Sequence, residues 1–229
     1  TELWAHDTSN ASTWQVADLN NGGSTSNPGY FMEILVGDTL YFSATDGSYG
    51  HELWAHDTSN ASTWRVADIH SGASSSNPGY HMDRTLVGDT LYFSANDASS
   101  GYELWAHDTS NASTWQVADI FSGGSHSDPG RRMEILVGDT IYFDAADLSG
   151  TELWAHDTSN ASTWQVADIS SGGGHSGAGD DILILAGDTL YFDATGNSGG
   201  HELWAHDTSN ASTWPVSYTH LRAHETYDH

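Results

Sequence analysis

The sequence has no cysteine and no lysine, and only 5 basic residues, all of them arginine. It also has only 4 prolines, and no apolar run comes near the roughly 18 residues that cross a bilayer. Each absence excludes something. Without cysteine there is no disulfide framework, thiolate nucleophile or thiolate metal site. With 31 acidic residues and a net charge of −26, nucleic acid and anionic lipid are excluded as partners, since both demand a basic surface. Without a long apolar run, membrane insertion by a helix is excluded. Charged residues make up 16%, and the space they leave is taken by 24 glycines and 10 tryptophans. The 229 residues suffice for one or two domains with a sizeable core. No initiator Met and no signal-peptide pattern opens the chain, which reads as an internal piece of something longer.

What the sequence does have is a repeat. Glu-Leu-Trp-Ala-His-Asp-Thr-Ser-Asn-Ala-Ser-Thr-Trp occurs five times unchanged, its first Trp at Trp4, Trp54, Trp105, Trp154 and Trp204. The second Trp stands at Trp14, Trp64, Trp115, Trp164 and Trp214, so these two series account for every tryptophan. Repeats start near residues 1, 51, 102, 151 and 201. Between the invariant blocks lies a Gly/Ser-rich loop, then two short apolar runs split by Gly-Asp at Gly37-Asp38, Gly88-Asp89, Gly138-Asp139 and Gly187-Asp188. That pair suits a primed hairpin turn, because both residues tolerate positive φ. No stretch has extended helical spacing. A period near 50 residues with aromatic punctuation predicts an all-β chain, a β-propeller of four-stranded antiparallel blades, one per repeat.

Leu40-Tyr41-Phe42, a Gly-rich loop, Leu53-Trp54, Asp57, a turn and Trp64 together resemble the kelch-type propeller repeat, with Ser43-Ala44 where kelch has a double glycine. Glu2-Leu3-Trp4-Ala5-His6-Asp7 is similar to bacterial extracellular repeats built on Glu-Leu-Trp-x-x-Asp-Gly-Thr, with Thr8 in place of Gly. The resemblance spans residues 1–214 as one domain and implies propeller fold and secretion. In kelch order the chain holds four complete strand sets and one half set, so the expectation is an open or strained ring, or one completed by another chain. After Trp214 the repeat breaks off. Residues 216–226, back-translated, resemble a transposase-based sequencing adapter, so residues 215–229 read as a non-native tail on a truncated metagenomic fragment. His220, His224 and Glu225 are set aside as a site on that ground.

The candidate chemistry is repetitive. His6 and Asp7, with copies at His56, His107, His156 and His206, suggest a triad, but adjacent strand residues face opposite ways and five equal copies do not make one active site. The Asp and Thr are expected to bond the turn backbone. The first Trp series is expected to pack between blades. The second series, Trp14, Trp64, Trp115 and Trp164, with Tyr30 and Tyr80, offers stacking platforms for a sugar. Oxygen donors at Asp18, Asn20, Asp68, Asp119 and Asp168, and at Asp46, Asp97 and Asp147, suggest weak calcium sites, the alternative being a solvated acidic surface. Asn10-Ala11-Ser12 and its copies fit a glycosylation sequon that the turn itself explains. Ser43 and Ser94 become Asp144 and Asp193, a negative spot able to take a cation or polar ligand.

The function expected is non-catalytic: a secreted or cell-surface bacterial scaffold that binds through its repeated rim loops, Gly22 to Tyr30 and their equivalents. No cofactor is expected beyond calcium. A lectin with one Trp/Asp site per repeat is the alternative, and a glycan-active enzyme a distant third. Partners are accordingly a glycan or a protein, or a second copy on the unpaired half blade.

Overall fold

The computed structural model describes residues 1–21, 23–197 and 199–216. β1 (Leu3–Asp7) and β2 (Ser12–Ala17) form a two-stranded sheet, called sheet 1. Four antiparallel four-stranded sheets follow. Sheet 2 holds β3 (Glu33–Val36), β4 (Thr39–Ala44), β5 (Glu52–Asp57) and β6 (Ser62–Ala67). Sheet 3 holds β7 (Thr85–Val87), β8 (Thr90–Asn96), β9 (Tyr102–Asp108) and β10 (Ser113–Ala118). Sheet 4 holds β11 (Glu134–Val137), β12 (Thr140–Asp147), β13 (Gly150–Asp157) and β14 (Ser162–Ala167). Sheet 5 holds β15 (Leu183–Ala186), β16 (Thr189–Thr195), β17 (His201–Asp207) and β18 (Ser212–Pro215). Among the described residues there is no helix, hence none long and apolar enough to cross a membrane.

Each strand order is sequential, so every connection is a hairpin or a loop between neighbouring sheets. The Gly-Asp pairs are two-residue hairpin loops, as Val36 facing Thr39 shows. Only the glycines use positive φ there, at 58–61°, and none of the aspartates does. The turn is therefore of the type with one left-handed residue rather than two. At the hairpin joining the last two strands of each sheet, Asp57 Oδ1 accepts from the Ser59 N–H and hydroxyl, Asp57 Oδ2 accepts from Asn60, and Asn60 Oδ1 accepts from the Ser62 N–H. The same bonds recur from Asp108, Asp157 and Asp207, the turn role expected of this Asp. Asn60 and Ser62 thus have structural work in the turn.

Packing follows the strand period of two. On β8, Leu91, Phe93 and Ala95 face sheet 2, while Tyr92 faces sheet 4. On β9, Trp105 faces sheet 2, and Leu104 and Ala106 face sheet 4. Both faces of each sheet are thus apolar, and the sheets stack through one cluster per interface. A tyrosine of one sheet meets a histidine of the next, as Tyr41 on His107 and Tyr92 on His156, ring centroids 5.2 and 5.3 Å apart. His107 Nδ1 bonds Thr114 across the hairpin, and burial pushes His107 below the ordinary imidazole value, so it is neutral filler. The first Trp series packs between sheets as expected. Trp54 is 8% exposed, but Trp4 on two-stranded sheet 1 is 58% exposed.

Sheet 1 remains two-stranded, and among the described residues no sheet joins it to sheet 5. β18 runs through Pro215, and Val216 donates to the Leu203 carbonyl. The first two residues assigned to the tail therefore continue the repeat's strand, and 217–229 lie outside the described residues.

Candidate functional site

The two ends of the sheets differ. At one end lie the Gly-Asp turns and the Asp-Thr-Ser-Asn-Ala-Ser turns, bonded to each other as Thr58 N–H donates to the Asp38 carbonyl. These are almost unchanged from repeat to repeat. At the other end lie the loops after β2, β6, β10 and β14 and the hairpins after β4, β8, β12 and β16. There the repeats diverge. The residues after Pro-Gly or Ala-Gly are Tyr30-Phe31, Tyr80-His81, Arg131-Arg132 and Asp180-Asp181. The residue before each Glu-Leu-Trp is Thr1, His51, Tyr102, Thr151 or His201.

These positions touch one another in a continuous line. Tyr30 meets Phe31, Phe31 meets Tyr80 at 5.3 Å, and Tyr80 stacks on Tyr102 at 5.4 Å. Tyr102 meets His126, and His81 Nε2 lies 3.0 Å from Asp128. Asp128 also faces Arg131 at 3.6 Å, and Arg132 reaches Asp144 at 3.3 Å and Asp180 at 2.7 Å. The rim thus changes from aromatic through cationic to anionic along four repeats.

Invariant residues hold this rim. Glu52, Glu103 and Glu152 are fully buried. Glu103 accepts from the Ile120 N–H at 2.8 Å and from Ser127 by both its N–H and its hydroxyl, at 3.2 and 2.7 Å. Ser127 donates its N–H to the Tyr102 carbonyl as well, and its own carbonyl accepts from Ala146. One carboxylate therefore ties the end of one repeat's sheet to the loop that opens the next. Desolvation raises Glu103 to about 7 against these bonds, and it raises Glu52 and Glu152 in the same sense. Glu2 has the same partners, Ser26 and Leu19. In open sheet 1 the desolvation that would raise it is outweighed by those bonds, and it is lowered. Burial accounts for the difference. Sequence reasoning missed this clamp, although an acid invariant in five copies beside strand leucines was a signal for it.

Between sheets 3, 4 and 5 the rim encloses a cavity of about 370 Å³, lined by Phe121, His126, Asp128, Arg131, Arg132, Asp144, Thr151 and His175. Two of the chain's five arginines are here. Asp144, expected as part of a free negative spot, accepts from the Arg132 and Met133 N–H groups and faces the Arg132 guanidinium. Asp193 accepts from the Asp181 and Ile182 N–H groups. Both acids stand where Ser43 and Ser94 hold the equivalent loops. Two further cavities border sheet 1, of about 320 and 470 Å³, the latter between Trp4, Trp14 and His56.

The expected site residues divide in two. Tyr30 and Tyr80 lie on the variable rim, 69% and 52% exposed. Trp14, Trp64, Trp115 and Trp164 lie elsewhere, on the outer strand of each sheet, 38–48% exposed. The calcium candidates are not drawn together. Asp46 and Asp97 accept N–H bonds within their own turns, as does Asp147. Asn20 donates to the Thr25 carbonyl, Asp68 faces Arg65 at 3.7 Å, and Asp18, Asp119 and Asp168 are exposed. Among the described residues no three His or acidic side chains converge on one point. Gly22, the first residue of the expected rim loop, lies outside the described residues.

No protein-family model and no curated protein matches the chain. Solved structures do. A puromycin hydrolase aligns with TM-score 0.55 and 14% identity over 92% of this chain. A Mycobacterium tuberculosis puromycin-hydrolyzing peptidase aligns with TM-score 0.53 and 10% identity over 91% of it. The fold is that of a β-propeller. The sheets are its blades, and the chain spans only 31% and 30% of those two solved chains. At such identity the likeness is one of fold alone, and the hydrolytic activity belongs to those two proteins.

Proposed function

We propose that the chain is a non-catalytic binding module of a secreted or cell-surface bacterial protein, and that it binds through the variable rim. The observation that carries this reading is the division of labour between residues. The turns of one end, the blade faces and the Glu clamp are held constant, and the repeat differences gather in one connected line from Tyr30 to Asp180. The expectation of several equivalent weak contacts is thereby refined: the four loops are chemically unlike, so they suit one extended ligand better than four copies of a small one. The exposed edge of β1 beside Trp4 adds self-association, which light scattering reports as a mass above the 24.6 kDa of one chain.

A second reading has its own support. The Trp14 series is open to solvent on every blade, as a lectin with one site per repeat requires. A glycan and peptide array separates the two. Binding weakened at least tenfold by Tyr80→Ala and unchanged by Trp164→Ala supports the rim, a loss of about 1.4 kcal/mol. The reverse pattern overturns it in favour of the lectin reading.

A further inference from the structure

The cavity at the rim of blade 4, between the loops that flank it, is built from residues in which these repeats differ from their sisters. Where Phe121 stands, the other repeats have Asn20, His70 and Ser170. Where His126 and His175 stand, the first two have Thr25 and Ser75, and where Arg131 stands they have Tyr30 and Tyr80.

Its hydrogen-bonding groups are fixed before any ligand arrives. The Tyr102 N–H donates to His126 Nδ1 and the Thr151 N–H to His175 Nδ1, both at 3.0 Å. A backbone N–H can only donate, so each Nδ1 is an acceptor and each neutral ring carries its hydrogen on Nε2. Two oriented donors result. Arg131, 58% exposed, adds a guanidinium. Asp128 adds acceptor oxygens and is lowered below the ordinary carboxylate value, since the burial that would raise it is outweighed chiefly by the His81 bond, with Arg131 beside it.

The charges of the cavity are matched within it. Arg131 faces Asp128, and Arg132 faces Asp144 and Asp180. An anion would meet the two lining carboxylates, Asp128 and Asp144, in a chain of net charge −26, and a cation would meet the two guanidinium groups of Arg131 and Arg132. A neutral ligand rich in hydroxyls meets neither penalty. It uses the charged groups as strong donors and acceptors without breaking their pairing. Phe121 supplies an apolar face of the kind that packs on sugar C–H groups. A volume of about 370 Å³ suits one or two sugar rings rather than a peptide.

We propose that this cavity binds a neutral saccharide unit, held by Arg131, Asp128 and the two histidines and packed on Phe121. The assignment rests on the rim-binding reading and deepens it. Isothermal titration of the whole chain tests it, with methyl glycosides of glucose, galactose, mannose and N-acetylglucosamine and their disaccharides. Galacturonate and glucosamine serve as charged comparisons. The variants are Phe121→Ser and Arg131→Tyr, residues that sister repeats already carry at these positions. The expected result is binding of at least one neutral sugar more tightly than either charged one, weakened at least tenfold by both variants and unchanged by Leu35→Ser, an exposed residue of β3 beside the Gly37-Asp38 turn at the opposite end. No binding of any neutral sugar up to about 10 mM overturns the proposal, as does preference for a charged sugar. If the cavity variants leave binding intact while Tyr30→Asp abolishes it, the cavity assignment falls and the rim reading stands. If neither the cavity variants nor Tyr30→Asp matters, both fall.

Discussion

Replacing Glu103 by alanine is expected to destabilise the propeller by about 3 kcal/mol, or roughly 6–12 °C in Tm, because it strands buried donors. The Ile120 and Phe121 N–H groups lose their acceptor, and the Ser127 N–H and hydroxyl lose one of two, keeping only the Tyr102 carbonyl. The same change at Glu2 is expected to cost less than about 1 kcal/mol, since in the open half blade water replaces the lost acceptor. Thermal unfolding of the two variants side by side checks this. Equal losses would mean that the clamp's burial is irrelevant.

The clamp also sets a pH dependence. Glu52, Glu103 and Glu152 are raised on folding by desolvation, Glu103 from 4.5 to about 7. A carboxyl raised on folding contributes stability that is complete below its unfolded value and is lost as pH rises through the folded one. The turn carboxylates Asp57, Asp108, Asp157 and Asp207 are lowered, first by their serine partners, and so act oppositely. Their contribution is present above 3.8 and is lost as pH falls. The carboxyl contribution should therefore be largest between these windows and decline toward pH 8. Self-repulsion of the net charge of −26 acts in the same direction. The buried His107, His156 and His206, lowered by burial, act oppositely and lose stability as pH falls through 6.5, so the Glu103 share is read from the difference between parent and variant. Glu103→Gln should flatten the decline.

Gly150→Ala is expected to be as costly, about 3 kcal/mol or more, whereas Gly172→Ala should cost about 1 kcal/mol. Both glycines have positive φ, at 109° and 84°, so the backbone strain is shared. They differ in what an added methyl meets. At Gly172 nothing lies within 4 Å, while at Gly150 the methyl would fall on the Gly174 carbonyl oxygen of the loop leading to the next blade. The difference between the two variants in chemical denaturation measures how closely successive repeats approach. Equal effects would place the whole cost in φ.

Much of the fold was legible because it is local. Strand runs such as Leu40-Tyr41-Phe42 and the Gly37-Asp38 turn carry their geometry in neighbouring residues, and packing of the first Trp follows from a strand sandwiched on both faces. The clamp was less visible, since Glu103 and Ser127 are 24 residues apart and an acid on a strand ordinarily faces water. The cavity was not legible at all. Phe121, Arg131, Asp144 and His175 come from different loops and strands, and only the stacking of blades brings them together. The sequence nonetheless held a usable sign, in that the repeats differ at the very positions that line it. Asp144 and Asp193 were noticed as departures from symmetry, but Arg132 as the partner of Asp144 and the loop N–H groups were not.

The most direct test is to make the third rim site a copy of the second, through Phe121→His, His126→Ser, Asp128→Asn, Arg131→Tyr, Arg132→His and Asp144→Ser, the last so that no buried carboxylate loses its guanidinium. Each new residue is already present in the second repeat, as His70, Ser75, Asn77, Tyr80, His81 and Ser94. Measured on the saccharide panel and by thermal unfolding, this chain should keep the parent Tm within about 3 °C and lose sugar binding. Retained binding, or collapse of the fold, would contradict the division into a constant scaffold and a variable binding rim.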